Sequence, residues 1–474
     1  MRTFSRVLSV SAVALLVAGC QLTPPPTALR STDVPAAFTA PVVDRNAPVW
    51  PAADWWSNFN APELPQLMEI AMRENLDIKV AAQRVLEAEA NLTIARAGLM
   101  PNVSGSLSAT RNGSNIADSD TFRAGLSGSY VIDVFGQNRA RTNSAEESLR
   151  SQRYSQTLTG LTIARQVAQT YFTILSLRER IAITQQNLEL SRRLLAISQA
   201  KFAAGVSSNL DVMQETATVA AQQSRLPGLI DSERQARYAM AVLLGMPPEE
   251  IQIRGQNLND LATPTIQPGL PSDLLLRRPD IAQAEANLYA AHANVDAARA
   301  AFFPQIGISA GVSWSAAVIG TLFDPASMAW NIGASLAQTI FDGGTINARS
   351  QIAQAQQEAQ ISLYRKTVFT ALQAVEQSVG QADAISQQLA FITQQERASV
   401  EAQRISELQY REGTIDVTTL LNAQQSLFSA QDSLVQTKLA RIQASVDLWF
   451  EMGGGWNQRQ SDADFKPQLD WFPL

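Results

Sequence analysis

The 474-residue chain contains a single cysteine, Cys20, and a single histidine, His292. These two residues cannot supply a disulfide framework or the ligand clusters of most zinc and iron sites. Since Cys20 is expected to be acylated, as argued below, no thiol remains, and with a single histidine we expect no cysteine or serine–histidine nucleophile site. The sequence contains no phosphate-cradling glycine loop. We therefore expect a protein that is not an enzyme and that needs neither a metal nor a cofactor.

Long apolar runs are also missing after Cys20, where no segment has the length and apolarity of a transmembrane helix. The residues before it have a basic start and a short apolar run (7–17), which predicts a secretory signal peptide over residues 1–19. Cys20 lies where a bacterial lipoprotein signal places the residue that becomes acylated. Because Gln21 follows it, the resemblance to lipoprotein sorting signals favours the outer membrane. We expect a covalent lipid at Cys20.

Basic residues do not dominate the chain, which has 37 Lys and Arg against 43 Asp and Glu and a formal net charge of −6. Removal of the predicted signal peptide takes away two arginines and changes this charge to −8. A mildly acidic chain lacks the positive surface that nucleic acid binds. We do not expect nucleic acid as a partner.

Proline is absent between Thr345 and Met452, and the only glycines there are Gly380 and Gly413. Apolar side chains in this stretch recur every three or four residues, as in a coiled-coil seam. The pattern predicts a long helix over residues 345–412, which would be about 100 Å long at roughly 1.5 Å per residue. A helix of this length bridges a wide gap and packs against other helices of the same kind.

The chain contains the same plan twice. The segment ending at Pro101 corresponds to the segment ending at Pro304 at a shift of 203 residues, and Gly205 corresponds to Gly413 at a shift of 208. Each half is predicted to hold a short helix, two strands that start after the proline, a long helix and a further short helix. The glycine after each long helix suits a left-handed helix cap.

This plan sets the predicted boundaries. A lipid-anchored tether and waist segment covers 20–63, the first repeat covers 64–245, a waist linker covers 246–272, the second repeat covers 273–452, and a C-terminal waist segment covers 453–474. The strands are expected at about 102–112, 121–135, 305–316 and 328–341, and the long helices at 137–204 and 345–412.

Residues 304–341 contain one charge, Asp324, and four glycines, which a buried helix would hardly carry. Apolar and small polar residues alternate here and in the first-half strands, which is typical of outer-membrane strands with an apolar outer face. An ordinary half-buried sheet is the alternative. Four strands are too few for a barrel, and an open edge cannot face lipid, so several chains must pool their strands. Two chains would give eight strands with a filled interior, whereas three would give twelve strands with a water-filled bore.

These residues resemble the TolC-like outer-membrane efflux proteins, in particular their OprM-type lipoprotein branch. The resemblance covers nearly the whole chain after Cys20. It rests on Trp55-Trp56, on LLRRPDI at 275–281, on the glycine turn at 341–344 and on GTIDVTTLLNAQ at 413–424. It implies a homotrimer with a twelve-stranded β-barrel in the outer membrane and a helical tunnel in the periplasm. It also implies a periplasmic adaptor and an inner-membrane pump, often of the resistance-nodulation-division type, for multidrug efflux and antibiotic resistance.

The resemblance further implies a gate at the far ends of the helices, near Gly205 and Gly413. The candidate gate residues are Asp211 and Asp416, with Arg411 as their partner, and Thr418 and Asn422. The last two depart from some relatives, which carry a bulky apolar residue and an acid at these positions. A ring of like charges repels and also binds cations. Alternatively, the two aspartates only cap helices.

An adaptor is expected to dock in the groove between 185–201 and 394–409. Two other functions stay open on the sequence. One is the exit duct of a type I protein secretion system, which has the same architecture. The other is a trimeric coiled-coil adhesin or structural spacer, which would not need strand pairs in two places along the chain.

Overall fold

The structure is a computed structural model that describes residues 28–29, 33–39, 49–113, 118–259, 261–264, 267 and 269–463. The predicted signal peptide and the predicted lipidation site at Cys20 lie outside the described residues. Part of the predicted C-terminal waist segment, after residue 463, also lies outside them.

Helices and strands follow one another in the order of the two sequence repeats. They are α1 (Leu64–Glu74), α2 (Leu76–Ala97), β1 (Asn102–Gly113), β2 (Asp118–Ile132), α3 (Gln137–Ala203), α4 (Asn209–Leu243), α5 (Pro271–Leu274), α6 (Pro279–Ala300), β3 (Gln305–Ala316), β4 (Met328–Ala337), α7 (Thr345–Glu412), α8 (Val417–Glu451) and α9 (Gln458–Ala463). The predicted mixture of long helices and four strands is confirmed. None of the described helices has a stretch both long and apolar enough to span a bilayer.

Contacts between residues divide the chain into two compact units. Of the described residues, unit 1 comprises 28–29, 83–113, 118–154 and 283–367, and unit 2 comprises 33–39, 49–82, 155–259, 261–264, 267, 269–282 and 368–463. Each unit contains parts of both sequence repeats. The boundaries at 245 and 273 therefore describe the duplication of the sequence rather than its compact units.

Unit 1 contains one antiparallel sheet with strand order β1-β2-β3-β4. The register aligns the alternating pattern across the strands, because Val312 of β3 pairs with both Leu126 of β2 and Trp330 of β4. The opposite face carries small polar residues, such as Ser104 and Ser127, whose hydroxyl oxygens lie 2.9 Å apart. The sheet therefore has one apolar and one polar face.

The apolar face of this sheet is exposed in the single chain. Trp330 and Ile332 are 71% and 74% exposed, and Val103 and Leu107 are 74% and 79% exposed. An exposed apolar surface of this kind marks an interface with lipid or with another protein.

Two strands end earlier than expected. Strand β2 ends at Ile132 rather than at 135, because the carboxylate of Asp133 accepts the backbone N–H groups of Asn138 and Arg139 at 3.0 and 2.8 Å and so caps α3. Strand β4 ends at Ala337 rather than at 341. Its neighbour β3 begins at Gln305, which pairs with Ala337, so the following residues extend beyond the ladder.

The turn before α7 is built like the turn before α3. The carboxylate of Asp342 accepts the backbone N–H groups of Gly344, Thr345 and Ile346 at 2.9, 3.1 and 2.7 Å. These bonds lower the pKa of Asp342, and the bond from Ile346 has the largest effect. Aspartates therefore start both long helices at the ends of strands.

The sequence predicted one short helix before the first pair of strands. The structure instead has two helices, α1 and α2, separated by a break at Asn75. This residue has an extended backbone (φ −57°, ψ 132°), and its side-chain oxygen accepts the N–H groups of Asp77 and Ile78 at 2.9 and 3.1 Å. Its amide nitrogen donates to the carbonyl of Leu243 at 2.8 Å. Asn75 thus caps α2 and ties it to the end of α4.

In unit 2, the irregular segments pack against one another. The backbone N–H of Ala262 donates to the carbonyl of Phe59 at 3.0 Å, and that of Gln458 donates to the carbonyl of Leu276 at 3.0 Å. The second predicted waist segment is thus joined directly to the first, and the third is joined to the start of the second repeat.

Candidate functional site

The long helices α3 and α7 both end in unit 2 at a glycine turn. Gly205 and Gly413 have φ values of 72° and 79°, a conformation that favours glycine because it has no Cβ. The N–H of Val206 donates to the carbonyl of Lys201 at 3.0 Å, and the same bond forms after Gly413. Both turns are therefore Schellman-type caps, which reverse the chain into α4 and α8.

The candidate aspartates lie at the first turns of these two helices and cap them. Asp211 forms a capping box with Ser208, whose hydroxyl donates to Oδ1 at 2.7 Å while the N–H of Asp211 donates back at 3.2 Å. Asp416 Oδ1 accepts the N–H of Thr419 at 2.8 Å, and this bond lowers the pKa of Asp416. Asp416 is exposed, so its side chain combines a cap with a negative charge at the surface.

Within the single chain Arg411 is not paired with either aspartate, and its expected role as their partner at the gate stays a prediction. Arg411 Nη2 pairs instead with Glu407 Oε1. The two residues are four apart on α7, where side chains share one helix face and reach each other without any change of the backbone. Thr418 and Asn422 are exposed positions of α8.

A polar contact that the sequence did not predict joins α3 to α7. The hydroxyl oxygens of Ser198 and Tyr410 lie 3.0 Å apart, and both side chains are buried. Lys201 Nζ lies 4.1 Å from the ring centroid of Tyr410 and donates to its backbone carbonyl. The signal in the sequence was a difference between the repeats, because Tyr410 carries a hydroxyl group where the first repeat has Phe202. In the structure Phe202 is 47% exposed.

Apolar side chains pack together in the parts of α3, α7 and α8 next to the turns at Gly205 and Gly413. The buried residues are Leu190, Leu194, Tyr410, Val417, Leu420, Leu427 and Phe428, from α3, α7 and α8. The two helical turns are therefore joined by a packed apolar cluster as well as by polar contacts.

Two fully buried polar side chains interrupt this apolar packing. Glu215 of α4 and Gln424 of α8 are both 0% exposed, and neither side chain has a hydrogen-bond partner among the described residues. Burial raises the pKa of Glu215 to about 7. The signal in the sequence was a glutamate three residues after Val212 and four before Val219, on the face of the helix that these valines bury.

The described residues contain no group of three or more His, Cys, Asp or Glu side chains that could hold a metal ion. A cleft of about 1060 Å³ lies between α3, α4 and α8, and its lining includes Gln214, Gly228 and Leu421. Charged turns joined to an apolar cluster can hold helix ends together and attract ions.

Comparisons with known proteins agree on one family. Residues 67–246 and 270–454 match the sequence profile of the outer membrane efflux proteins. The pyoverdine export outer membrane protein OpmQ of Pseudomonas aeruginosa is 37% identical over 421 residues, which are 86% of this chain and 88% of OpmQ. The probable efflux pump outer membrane protein TtgC of Pseudomonas putida is 29% identical over 481 residues and 98% of both chains. The open-state crystal structure of the MtrE outer membrane channel of Neisseria gonorrhoeae superposes with a TM-score of 0.79 at 27% identity, covering 92% of this chain and 98% of MtrE.

Proposed function

Because the chain belongs to the outer membrane efflux protein family, we propose that three copies assemble into the gated exit duct of a tripartite pump. Each copy contributes four strands to a twelve-stranded barrel in the outer membrane. The long helices form a tunnel that continues the bore of the barrel into the periplasm. Small toxic compounds pass through this duct to the exterior.

The resemblance inferred from the sequence, and with it the role of an outer-membrane efflux channel, is confirmed by the family match and the relatives. The names of OpmQ and TtgC describe export and efflux. A protein secretion duct is not favoured. A passive duct needs an inner-membrane transporter and a periplasmic adaptor to drive and connect it, and we propose a pump of the resistance-nodulation-division type.

The four-stranded sheet of unit 1 is the observation that supports the proposed trimer. Its outer strands β1 and β4 are edges, and its apolar face is exposed. Unpaired backbone groups of an edge cannot remain in hydrocarbon, so these edges must pair with strands of neighbouring copies. Three copies give a bore wide enough for water and solutes.

Two measurements on the purified full chain test this assembly. Light scattering in detergent is expected to give a trimer, and planar bilayers are expected to show discrete conductance steps. A stable single subunit without pore activity would refute the proposal.

We further propose that Cys20 carries the lipid that anchors the amino-terminal tether to the outer membrane. Replacement of Cys20 by Ser is expected to remove the lipid mass from the mature chain and its labelling by palmitate. Unchanged palmitate labelling would contradict this assignment.

The gate is proposed to form where the turns of the three copies meet, with Asp416 at its centre. Asp416 is both a cap and a charge, and two substitutions separate these roles. Asp416→Ala removes both, whereas Asp416→Asn keeps an oxygen that can accept the N–H of Thr419. If the charge closes the duct, both variants raise the conductance in bilayers and the uptake of large antibiotics.

The exposed Glu249, which lies in a 3₁₀ turn rather than near the helical turns, provides the control. Glu249→Gln is expected to leave conductance unchanged. Wild-type conductance of Asp416→Asn would remove the charge of Asp416 from the gate.

A further inference from the structure

Glu215 has no counter-charge in its surroundings. Its carboxyl is fully buried, and both of its oxygens lack a hydrogen-bond partner among the described residues. Burial is the cause of its raised pKa of about 7. An ionised carboxylate is far more costly to bury than a neutral carboxyl, because it loses its hydration. This helix packing therefore suits the neutral form.

Near the two turns, each of the four helices carries a polar or titratable side chain. On α7, burial raises the pKa of the Tyr410 phenol, and the charges of Asp211 and Glu215 raise it further. On α3, the ammonium of Lys201 is already engaged with the ring and the carbonyl of Tyr410. On α8, the buried polar side chain is the uncharged Gln424, while the charged Asp416 is exposed. Asp211, on the same helix as Glu215, is also negative. Burial alone raises the pKa of Glu215, so none of these groups compensates a charge on its carboxylate.

A proline and a glycine separate the part of α4 that carries Glu215 from the rest of the helix. Pro227 lies inside α4 and has no N–H to donate to the carbonyl of Gln223. Gly228 follows, and a Cβ added there would meet no atom within 4 Å. The cleft of about 1060 Å³ adjoins this point. Residues 209–226 can therefore move about a weak point in the helix, into space that is already present.

We propose that Glu215 is a protonation-dependent latch, whose neutral carboxyl holds residues 209–226 against α3, α7 and α8 and whose ionisation releases them. Since this segment begins at the helical turn, its release loosens the proposed gate. The inference rests on the proposed channel function. It adds a buried group that makes closure depend on periplasmic pH.

The size of the effect follows from linkage. A group whose pKa is raised from 4.5 to about 7 in the closed form binds its proton more tightly there. The closed form is then fully favoured below pH 4.5 and loses this advantage as the pH rises through 7. The equilibrium between closed and released forms changes by at most about 300-fold across this window. The proton can shift the two populations only by this ratio of affinities.

Planar bilayers with the full chain test the latch between pH 5 and pH 8.5. The wild type is expected to open rarely at pH 5 and more often as the pH passes 7. Glu215→Gln keeps the shape and stays neutral, so it is expected to open rarely at every pH. Glu69→Gln is the matched control, because Glu69 is an exposed carboxylate of α1 that pairs with Arg73. It is expected to keep the wild-type response.

Thermal unfolding in detergent gives a second readout that does not depend on conduction. Glu215→Gln is expected to unfold at a higher temperature than the wild type at pH 8 and at the same temperature at pH 5. If no variant conducts at any pH, the channel function fails, while the unfolding temperatures still decide the latch. Equal pH responses of the wild type and Glu215→Gln in unfolding would overturn it.

Discussion

Arg278, in the LLRRPDI segment, joins two parts of unit 2 that are distant in the sequence. Its guanidinium donates to both carboxylate oxygens of Asp280 at 3.0 and 2.7 Å. It also donates to the backbone carbonyl and the carboxylate of Glu451 at 2.7 and 2.6 Å. Burial alone would lower the pKa of Arg278, but the bonds and charges of Asp280 and Glu451 outweigh it and raise the pKa. The start of α6 is thus fastened to the end of α8.

Arg278→Ala would leave two carboxylates facing each other in a largely buried site. Arg278 is 8% exposed, and the side chains of Asp280 and Glu451 are 24% and 16% exposed. Removal of one partner from a buried ion pair costs about 3–5 kcal/mol. Arg278→Lys is expected to cost less, because the ammonium keeps the charge but cannot form the planar fork.

Arg277→Ala is the matched control at the neighbouring position. The Arg277 guanidinium lies 4.4 Å from the ring centroid of Trp50, a contact worth about 0.5–1 kcal/mol at an exposed site. Denaturant unfolding in detergent, followed by tryptophan fluorescence, compares the three variants with the wild type. If Arg278→Ala unfolds at the same denaturant concentration as Arg277→Ala, the reasoning on Arg278 is refuted.

Asn75→Ala is expected to lower the free energy of unfolding by about 1–2 kcal/mol, because it removes a helix cap. Asn75→Asp keeps the cap but cannot donate to the carbonyl of Leu243, so it is expected to recover only part of this loss; equal losses in denaturant unfolding would contradict the capping role. Gly453→Ala is expected to destabilise unit 2, because its φ is 91° and an added Cβ would come within 1.9 Å of the carbonyl oxygen of Arg277. Gly380→Ala, inside α7 with no atom within 4 Å of an added Cβ, is expected to stabilise by about 0.5–1 kcal/mol; a thermal shift of the same sign in both glycine variants would refute this comparison.

The long helices and the strands could be predicted because their signals are local. A run without proline and with apolar residues every three or four positions indicates α7 without knowledge of its neighbours. The glycine after each long helix could be predicted for the same reason, because its left-handed backbone conformation depends only on the local chain. The break at Asn75 was missed because its bond to Leu243 depends on how two distant helices pack.

The candidate site shows the same division. Asp211 and Asp416 were chosen by their position near the turns, and their capping bonds are local. In the single chain Arg411 pairs with Glu407, because this partner lies on its own helix and is within reach without any assembly. Glu215 and Tyr410 were missed because their burial results from the packing of several helices. The gate is proposed to form where copies meet, so its contacts depend on the assembly as well as on the sequence.

The pairing of β2 with β3 joins strands from the two sequence repeats, with the long helix α3 between them. Such pairing closes a very large loop of chain, which slows folding, because the entropy of closure is lost before the contacts are gained. Until the second repeat has been synthesised, the edge of β2 that later pairs with β3 stays unpaired. The open edge of the first hairpin is therefore exposed to wrong strand pairing until the second repeat has been made.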